Sequence, residues 1–378
     1  MVDPPGTAWA WPSLTSAKRT VLLDVLVHGP RSRSQLTRRT GLSRATLSRL
    51  TRDLTEAGLL RDGVPAEVLG PGRPSDVVAL RADGGRFVGL KLTGTTLYVV
   101  VTDLGAGVLH TEEIGLASRD VDDVVATMAG AVLRARSAFP RVSAVGVCLA
   151  GDVHVVDGSA WVIGSDFLGW DRVPLEAAVV AATGLPTAIS NDVQALTVAH
   201  HWFGAGRGAA SLAVVAVGAG VGAGLVLDGT LLRGAHGRPG KVSHLIVTGG
   251  GPRCDRGHVG CASAYVTVPA VLANAGLSSF DDVLRAAEAG ERRADRALRE
   301  AGTALGALAA NLVNLIDPEK VVLTGEGRAV GEYARAELDA ALRRRLDPSA
   351  IAPPVEVHPF AFTDYAWGAA ITAIRHLV

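Results

Sequence analysis

Cysteine is nearly absent from this chain, with three in 378 residues, and lysine is scarce, with four against 33 arginines. Three thiols cannot build a disulfide framework, which excludes the stapled extracellular domains and makes any clustered Cys and His a candidate metal-ligand set. No apolar run reaches the length of a membrane span, and the opening MVDPPGTAWAWPS lacks the basic and then apolar layout of a signal peptide. A cytoplasmic protein with no membrane partner is therefore expected. Long disordered tails are also excluded, because 48% hydrophobic and 20% charged residues describe a folded chain. Its length exceeds one ordinary core, so two or three domains are expected. The excess of Arg over Lys, with abundant Ala, Gly, Val and Pro, reflects GC-rich coding and carries no mechanistic weight.

The formal net charge is zero, but it is unevenly spread. Residues 14–74 hold eleven Lys or Arg against five acids, a surplus of six that the rest of the chain balances. A basic module on an acidic body is the electrostatic pattern of a nucleic-acid reader with a separate second function. Within it, SAKRTVLLDVLV (Ser16–Val27) places Val21, Leu22, Val25 and Leu26 on one helical face. A short helix is expected over Arg33–Thr40, then a turn through Gly41 and Leu42, then a helix from about Arg44 to Ala57, capped by Ser43 and ended by Gly58. Leu36, Leu42, Leu47, Leu50 and Leu54 face inward, while Arg44, Thr46, Ser48, Arg49 and Arg52 face outward. This is a helix-turn-helix whose second helix fits the major groove of double-stranded DNA. A bundle with a solvated basic face is the blander alternative. Two short β segments around a turn follow as a wing, and Arg73 in GPGRP (Gly70–Pro74) either enters a minor groove or belongs to a plain linker.

After Asp76 strands and helices alternate. RFVGLKL, LYVVVTD and GVLHTEEIGL read as consecutive antiparallel strands, followed by a helix over Val121–Phe139, the buried strand VSAVGVCLA, a helix over Pro174–Thr183, the strand TAISND and a helix over Val193–Trp202. Cys148 lies in that buried strand and is read as a core residue. A second α/β unit opens with SLAVVAVGAGVGAGLVLDGTLL and ends with a helix over Ala294–Leu315 and the strand KVVLTG. Two α/β units with mixed sheets and an Asp at a strand end between them describe a two-lobed body of the actin and hexokinase kind. The expected boundaries are 14–74 for a winged helix-turn-helix head, 75–192 with 360–378 for the first lobe, and 193–359 for the second.

The segments running from Phe167 (FLGWDRVPLEAAVVAATGLPTAISND), Gly218 (GAGVGAGLVLDGTLLRGAHGRPGKVSH), Asn311 (NLVNLIDPEKVVLTGEG) and Asp364 (DYAWGAA) resemble the ROK family of repressors and sugar kinases in order, spacing and wording. With the head in front, the chain looks like a ROK transcriptional repressor. The resemblance implies a sugar or sugar phosphate bound between lobes, signalling to the DNA-binding heads of a homodimer or homotetramer. Asp192 matches the family's catalytic base, with a helix cap as its alternative role, and Asn191 and Asp166 fall at sugar-contacting positions. The family's first phosphate loop, D-x-G-G-T, is KLTGT here, so Lys91 replaces a Mg²⁺-organising carboxylate and Thr93 replaces a glycine. Glu326 in TGEGR adds a like charge where a polyphosphate belongs. Neither ATP nor Mg²⁺ is expected as a cofactor. An active ROK kinase with a fused regulatory domain is the alternative of a different class.

Two sugar-binding glutamates of the family are also replaced, by Lys241 in GKVSH (Gly240–His244) and by Ser263, while His244 is retained. A cation in place of acceptors suits an anionic sugar derivative. The competing reading is a body that has lost its ligand and serves as a dimerising scaffold. The family's zinc loop, C-x-C-G-x-x-G-C-x-E, corresponds to CDRGHVGCAS, in which Arg256 stands at the middle cysteine. His244, Cys254 and Cys261 remain as candidate zinc ligands. Either His258 or a water completes the set, or the loop holds two reduced thiols and no metal.

Overall fold

The computed structural model describes residues 11–64 and 77–378. Arg73 and its GPGRP segment lie outside the described residues. Helix α1 (Ser16–His28) buries Val21, Leu22, Val25 and Leu26. Strand β1 (Arg31–Ser32) leads into α2 (Arg33–Thr40), whose Ser32 cap exchanges hydrogen bonds with Gln35. Gly41, at φ 71°, takes the left-handed conformation that turns the chain towards α3 (Arg44–Glu56). Ser43 caps α3. Gly58, at φ 74°, closes it, with Leu59 N–H bonded to the Leu54 carbonyl and Gly58 N–H to that of Thr55. Leu36, Leu47, Leu50 and Leu54 are buried as expected, whereas Leu42 is only half-buried. Strands β2 (Leu60–Val64) and β3 (Val77–Leu80) pair antiparallel, and β1 adds to the far side of β3. The two expected β segments thus sit in a three-stranded sheet, and the head is a winged helix-turn-helix.

The chain divides into two compact units, Met1–Phe203 with Thr363–Val378, and Gly204–Phe362. In the first, β4 (Arg86–Leu92), β5 (Thr96–Asp103) and β6 (Val108–Gly115) form the expected antiparallel trio. Helix α4 (Val121–Ala138) leads to β7 (Val142–Leu149), every residue of which is buried. A small antiparallel sheet of β8 (Asp152–Val156), β9 (Ser159–Ser165) and β10 (Trp170–Val173) goes beyond the elements read from sequence. Helix α5 (Leu175–Thr183), strand β11 (Thr187–Asn191) and helix α6 (Asp192–Phe203) complete the unit. The main sheet has the order β11-β7-β4-β5-β6, with β4, β7 and β11 parallel. Helix α6 packs on β11 and β7 and so stays with this unit, whereas the sequence reading started the second lobe at Val193.

The second unit repeats the plan. Strands β12 (Leu212–Val217), β13 (Val221–Leu227) and β14 (Thr230–Leu231) are antiparallel neighbours. Short helices α7 (Ser263–Val266), α8 (Val268–Ala275) and α9 (Phe280–Glu288) precede the long α10 (Arg292–Ile316) and β15 (Lys320–Thr324). Then come α11 (Ala329–Tyr333), α12 (Arg335–Arg345) and β16 (Val355–Val357). Its order is β14-β13-β12-β15-β16, with β12, β15 and β16 parallel. Three antiparallel strands followed by two parallel ones, twice over, is the duplicated plan of the actin and hexokinase fold.

In the first unit the C-terminal helix (Phe362–Leu377) lies directly on the main sheet. A Cβ at Gly146 would fall 1.8 Å from the Ala369 carbonyl oxygen, and one at Gly89 equally close to that of Ala366. Backbone meets backbone, and no side chain fits between. Gly146→Ala must push this helix off β7, and a loss of about 1–3 kcal/mol or more is expected. Denaturant unfolding of the full chain checks it.

An exposed arginine helix, a paired carboxylate and a Cys–His cluster

The head presents α3 with Arg44, Ser48, Arg49 and Arg52 exposed. None of these three arginines forms an ion pair among the described residues, unlike Arg39 and Lys18, which hold Asp24 and Asp53 and tie the helices together. Hydrogen bonding to the Lys18 ammonium keeps the Asp53 carboxyl below its ordinary pKa. Thr46 departs from the expected outward face. It is half-buried, and its hydroxyl accepts from Ser43 at 2.9 Å within the cap.

In the first unit, Lys91 on β4 and Asp192 at the start of α6 meet, with Nζ 2.6 Å from Oδ2. Their side chains are 4% and 12% exposed, so the pair is shielded from water and neither charge stands alone. The ammonium also lies 4.5 Å from the centroid of the Tyr365 ring. Cys148, on the neighbouring strand, donates to the Tyr365 carbonyl at 3.2 Å, and burial pushes its thiol up to about 12, so it is an inert core residue as read from sequence. Asn191, more than Asp192, caps α6, since its Oδ1 accepts from the Val193 and Gln194 amides while its Nδ2 donates to the Gly151 carbonyl at 3.1 Å. Asp166 is exposed. The Thr93 hydroxyl closes the KLTGT turn by accepting from Thr96 N at 2.9 Å and donating to the Thr96 carbonyl. Arg119, which sequence reasoning missed, donates to the Gly94 carbonyl at 2.9 Å and fixes the same loop.

In the second unit, the Glu326 carboxylate sits against Gly218, where a Cβ would come within 2.3 Å of Oε2. The space that two glycine turns leave beside each other is filled by the Glu326 side chain. Lys241 is exposed, three residues before His244. A tight turn brings the Cys254 amide to the His258 carbonyl at 3.0 Å and folds His258 back over Cys254, with exposed Arg256 inside the turn. Cys254 Sγ lies 3.7 Å from His244 Nδ1 and 3.6 Å from His258 Nδ1, and Cys261 Sγ lies 3.8 Å from His244 Nδ1. One ligand atom from each of His244, Cys254, His258 and Cys261 falls within 4.8 Å of the others. A tetrahedral zinc with bonds of about 2.3 Å to sulfur and 2.0 Å to nitrogen sets its ligands roughly 3.5 Å apart, so this Cys2His2 set fits one. Burial and the neighbouring His258 charge lower the His244 pKa and favour its neutral, ligating form. Burial opposes ionisation of Cys254, yet the Arg256 and His258 amides hold its thiol below the ordinary value, whereas burial raises that of Cys261.

The ROK family matches residues 87–375, more than three quarters of the sequence. The chain belongs to the ROK family. The head, residues 13–65, matches the HVO_A0261 N-terminal domain. The chain is 26% identical over 320 residues to the DNA-binding transcriptional repressor Mlc of Escherichia coli K12, covering 80% of this chain and 78% of that protein. A solved ROK family transcriptional regulator, described as a homologue of the E. coli Mlc protein, superposes with TM-score 0.81 at 25% identity over 96% of this chain and 95% of its own. A ROK glucokinase from Streptomyces griseus, solved with glucose and AMPPNP, matches 77% of this chain and all of its own, with TM-score 0.65 and 26% identity. Repressors and active kinases therefore share this ROK body, and its local chemistry must discriminate between them. Of the ligand-binding candidates, Asp166, Asn191 and Asp192 belong to the first unit, and Lys241 and His244 to the second.

The Lys91–Asp192 pair had one sequence signal, a lone lysine in the apolar strand RFVGLKL, which demands a buried counter-ion. Lys91→Ala leaves the Asp192 carboxylate shielded and unpaired, and a loss of about 3–5 kcal/mol is expected. Chemical unfolding near neutral pH measures it, and a double change to Lys91→Met with Asp192→Leu should recover most of the loss.

Proposed function

We propose that this ROK chain is a sequence-specific DNA-binding transcriptional regulator, a repressor, whose kinase-like body senses an effector and transfers no phosphoryl group. The observation that carries the reading is the Lys91–Asp192 ion pair in a chain that also bears an exposed arginine face on a helix-turn-helix. A carboxylate 2.6 Å from a shielded ammonium is a poor acceptor for a sugar hydroxyl proton. Lys91 also stands where the family holds the carboxylate that organises Mg²⁺, and Glu326 fills the neighbourhood of Gly218. With glucose and Mg-ATP, ADP release should stay at background. Turnover that disappears in Asp192→Asn would instead assign the chain to the kinases.

In this reading the head over 14–74 works in the cytoplasm, and the heads of a homodimer or homotetramer insert two α3 helices into successive major grooves of one operator. Arg44, Ser48, Arg49 and Arg52 reach base edges or phosphates, Thr46 holds the start of α3 in shape, and Arg73 serves the wing. Arg44→Ala and Arg49→Ala should each weaken binding to a duplex selected from a random-sequence pool by about 1–3 kcal/mol, with thermal melting unchanged. Unaltered affinity in both variants would move the recognition face elsewhere.

His244, Cys254, His258 and Cys261 hold a structural zinc, with His258 replacing the family's middle cysteine. Such an ion would lock the loop and orient His244. Metal analysis of chain purified without chelators should find about one zinc per chain, and His258→Ala should lose most of it. Asp166, Asn191 and Asp192 are the effector-binding candidates of the first unit and Lys241 and His244 those of the second, where the Lys241 cation favours an anionic sugar derivative. One observation favours a second reading, a body without a sugar: both polar atoms of the Asn191 amide already serve Gly151 and the α6 cap. Calorimetry with glucose, glucose 6-phosphate and gluconate decides. Tight binding of glucose alone contradicts the anionic version, and no binding of any supports the scaffold.

A further inference from the structure

Within the first unit, a cavity of about 800 Å³ opens between the helix-turn-helix head and the α/β layers behind it. Four basic residues line it from four separate segments: Arg19 of α1, Arg136 of α4, Arg141 in the turn before β7 and His376 of the C-terminal helix. Among the described residues, no acidic one lines it. Trp11, Phe139 and Leu185 supply an apolar wall. Arg19 and Arg136 are exposed and form no ion pair among the described residues, although Arg136 makes one long hydrogen bond, 3.4 Å, to the Thr183 carbonyl. Like charges facing one cavity repel one another, and a bound anion relieves that repulsion while satisfying the guanidinium donors. Apolar walls with a few converging polar groups are the usual make-up of a small-molecule site.

Arg141 links the cavity to DNA reading. Its backbone is held at φ 62°, a conformation unfavourable for a residue with a side chain, and its carbonyl accepts from Arg86 N at 2.9 Å and from the Ser143 hydroxyl at 2.8 Å. From that anchored position the guanidinium reaches the head, within 3.8 Å of where a side chain on Gly58 would begin. Gly58 terminates α3, and a cation there favours the negative end of the recognition helix. An anion in the cavity competes for the same guanidinium. Drawing Arg141 towards that anion would take its charge from the end of α3, which Arg81 also approaches, at the same 3.8 Å, and a ligand with such a differential contact can shift DNA affinity.

We propose that this cavity is a binding site for a small organic anion, a carboxylate, sulfonate or phosphate on an apolar or aromatic body, and that its occupancy alters DNA binding through Arg141 and the end of α3. The site is separate from the effector residues discussed above. Its coupling to DNA rests on the regulator reading, but anion binding itself does not.

The test uses the full chain and the double variant Arg19→Gln with Arg136→Gln, whose exposed side chains can be exchanged without disturbing a core. Binding is followed by the fluorescence of 1-anilinonaphthalene-8-sulfonate, with salicylate as a competitor. Saturable binding that salicylate displaces, at least tenfold weaker in the variant at unchanged circular dichroism, is expected. Equal affinity in both proteins, or no saturable binding to either, overturns the site. In the second arm, salicylate should change the affinity of the native chain for its selected duplex by about tenfold and leave the variant's unchanged. The same response in both, or none in either, overturns the coupling. A chain that binds no duplex at all defeats the regulator reading, and the fluorescence arm still decides the site.

Discussion

A single ion pair at the centre of the first α/β unit, Lys91 with Asp192, joins the central strand of the main sheet to the start of α6, beneath the Tyr365 ring of the C-terminal helix. Three elements far apart in sequence depend on one shielded pair of opposite charges. Each charge is tolerated there because the other is present. The contact that stabilises this corner of the fold also engages one oxygen of the Asp192 carboxylate.

The glycine contacts of the C-terminal helix make that arrangement possible. Gly89 and Gly146 bring the Ala366 and Ala369 carbonyls against the sheet, and Gly368 approaches the backbone of α6. This places Tyr365 over Lys91. A helix held off by even one methyl group would loosen the ring, the ammonium and the carboxylate together. The Cys–His cluster obeys a similar economy on a smaller scale. Losing the middle cysteine of the loop to Arg256 turns a side chain outward, and the tight turn between Cys254 and His258 returns an imidazole to the vacated corner.

The head was the most legible part of the sequence, because its signals are local. Ser43, Gly41, Gly58 and the leucine spacing act within a few residues of the structures they specify, and the helices form where those signals lie. The main strands were legible for the same reason. The small sheet over Asp152–Val173 was not, since its strands mix buried and exposed residues without a clean alternation. Thr46 read as an outward recognition residue because periodicity places its Cβ there, whereas its hydroxyl is drawn into the cap by Ser43.

By itself the sequence determined the winged head, the two α/β units, the family and the positions at which kinase and zinc motifs had changed. These follow from periodicity, capping and motif spacing, all read along one dimension. Only the tertiary structure decided what the changed residues do. It seated Lys91 on Asp192, Glu326 against Gly218 and His258 beside Cys254, and it gathered four basic residues from four separate segments around one cavity. Pairings between residues a hundred positions apart depend on strand order and helix approach, which no local pattern encodes.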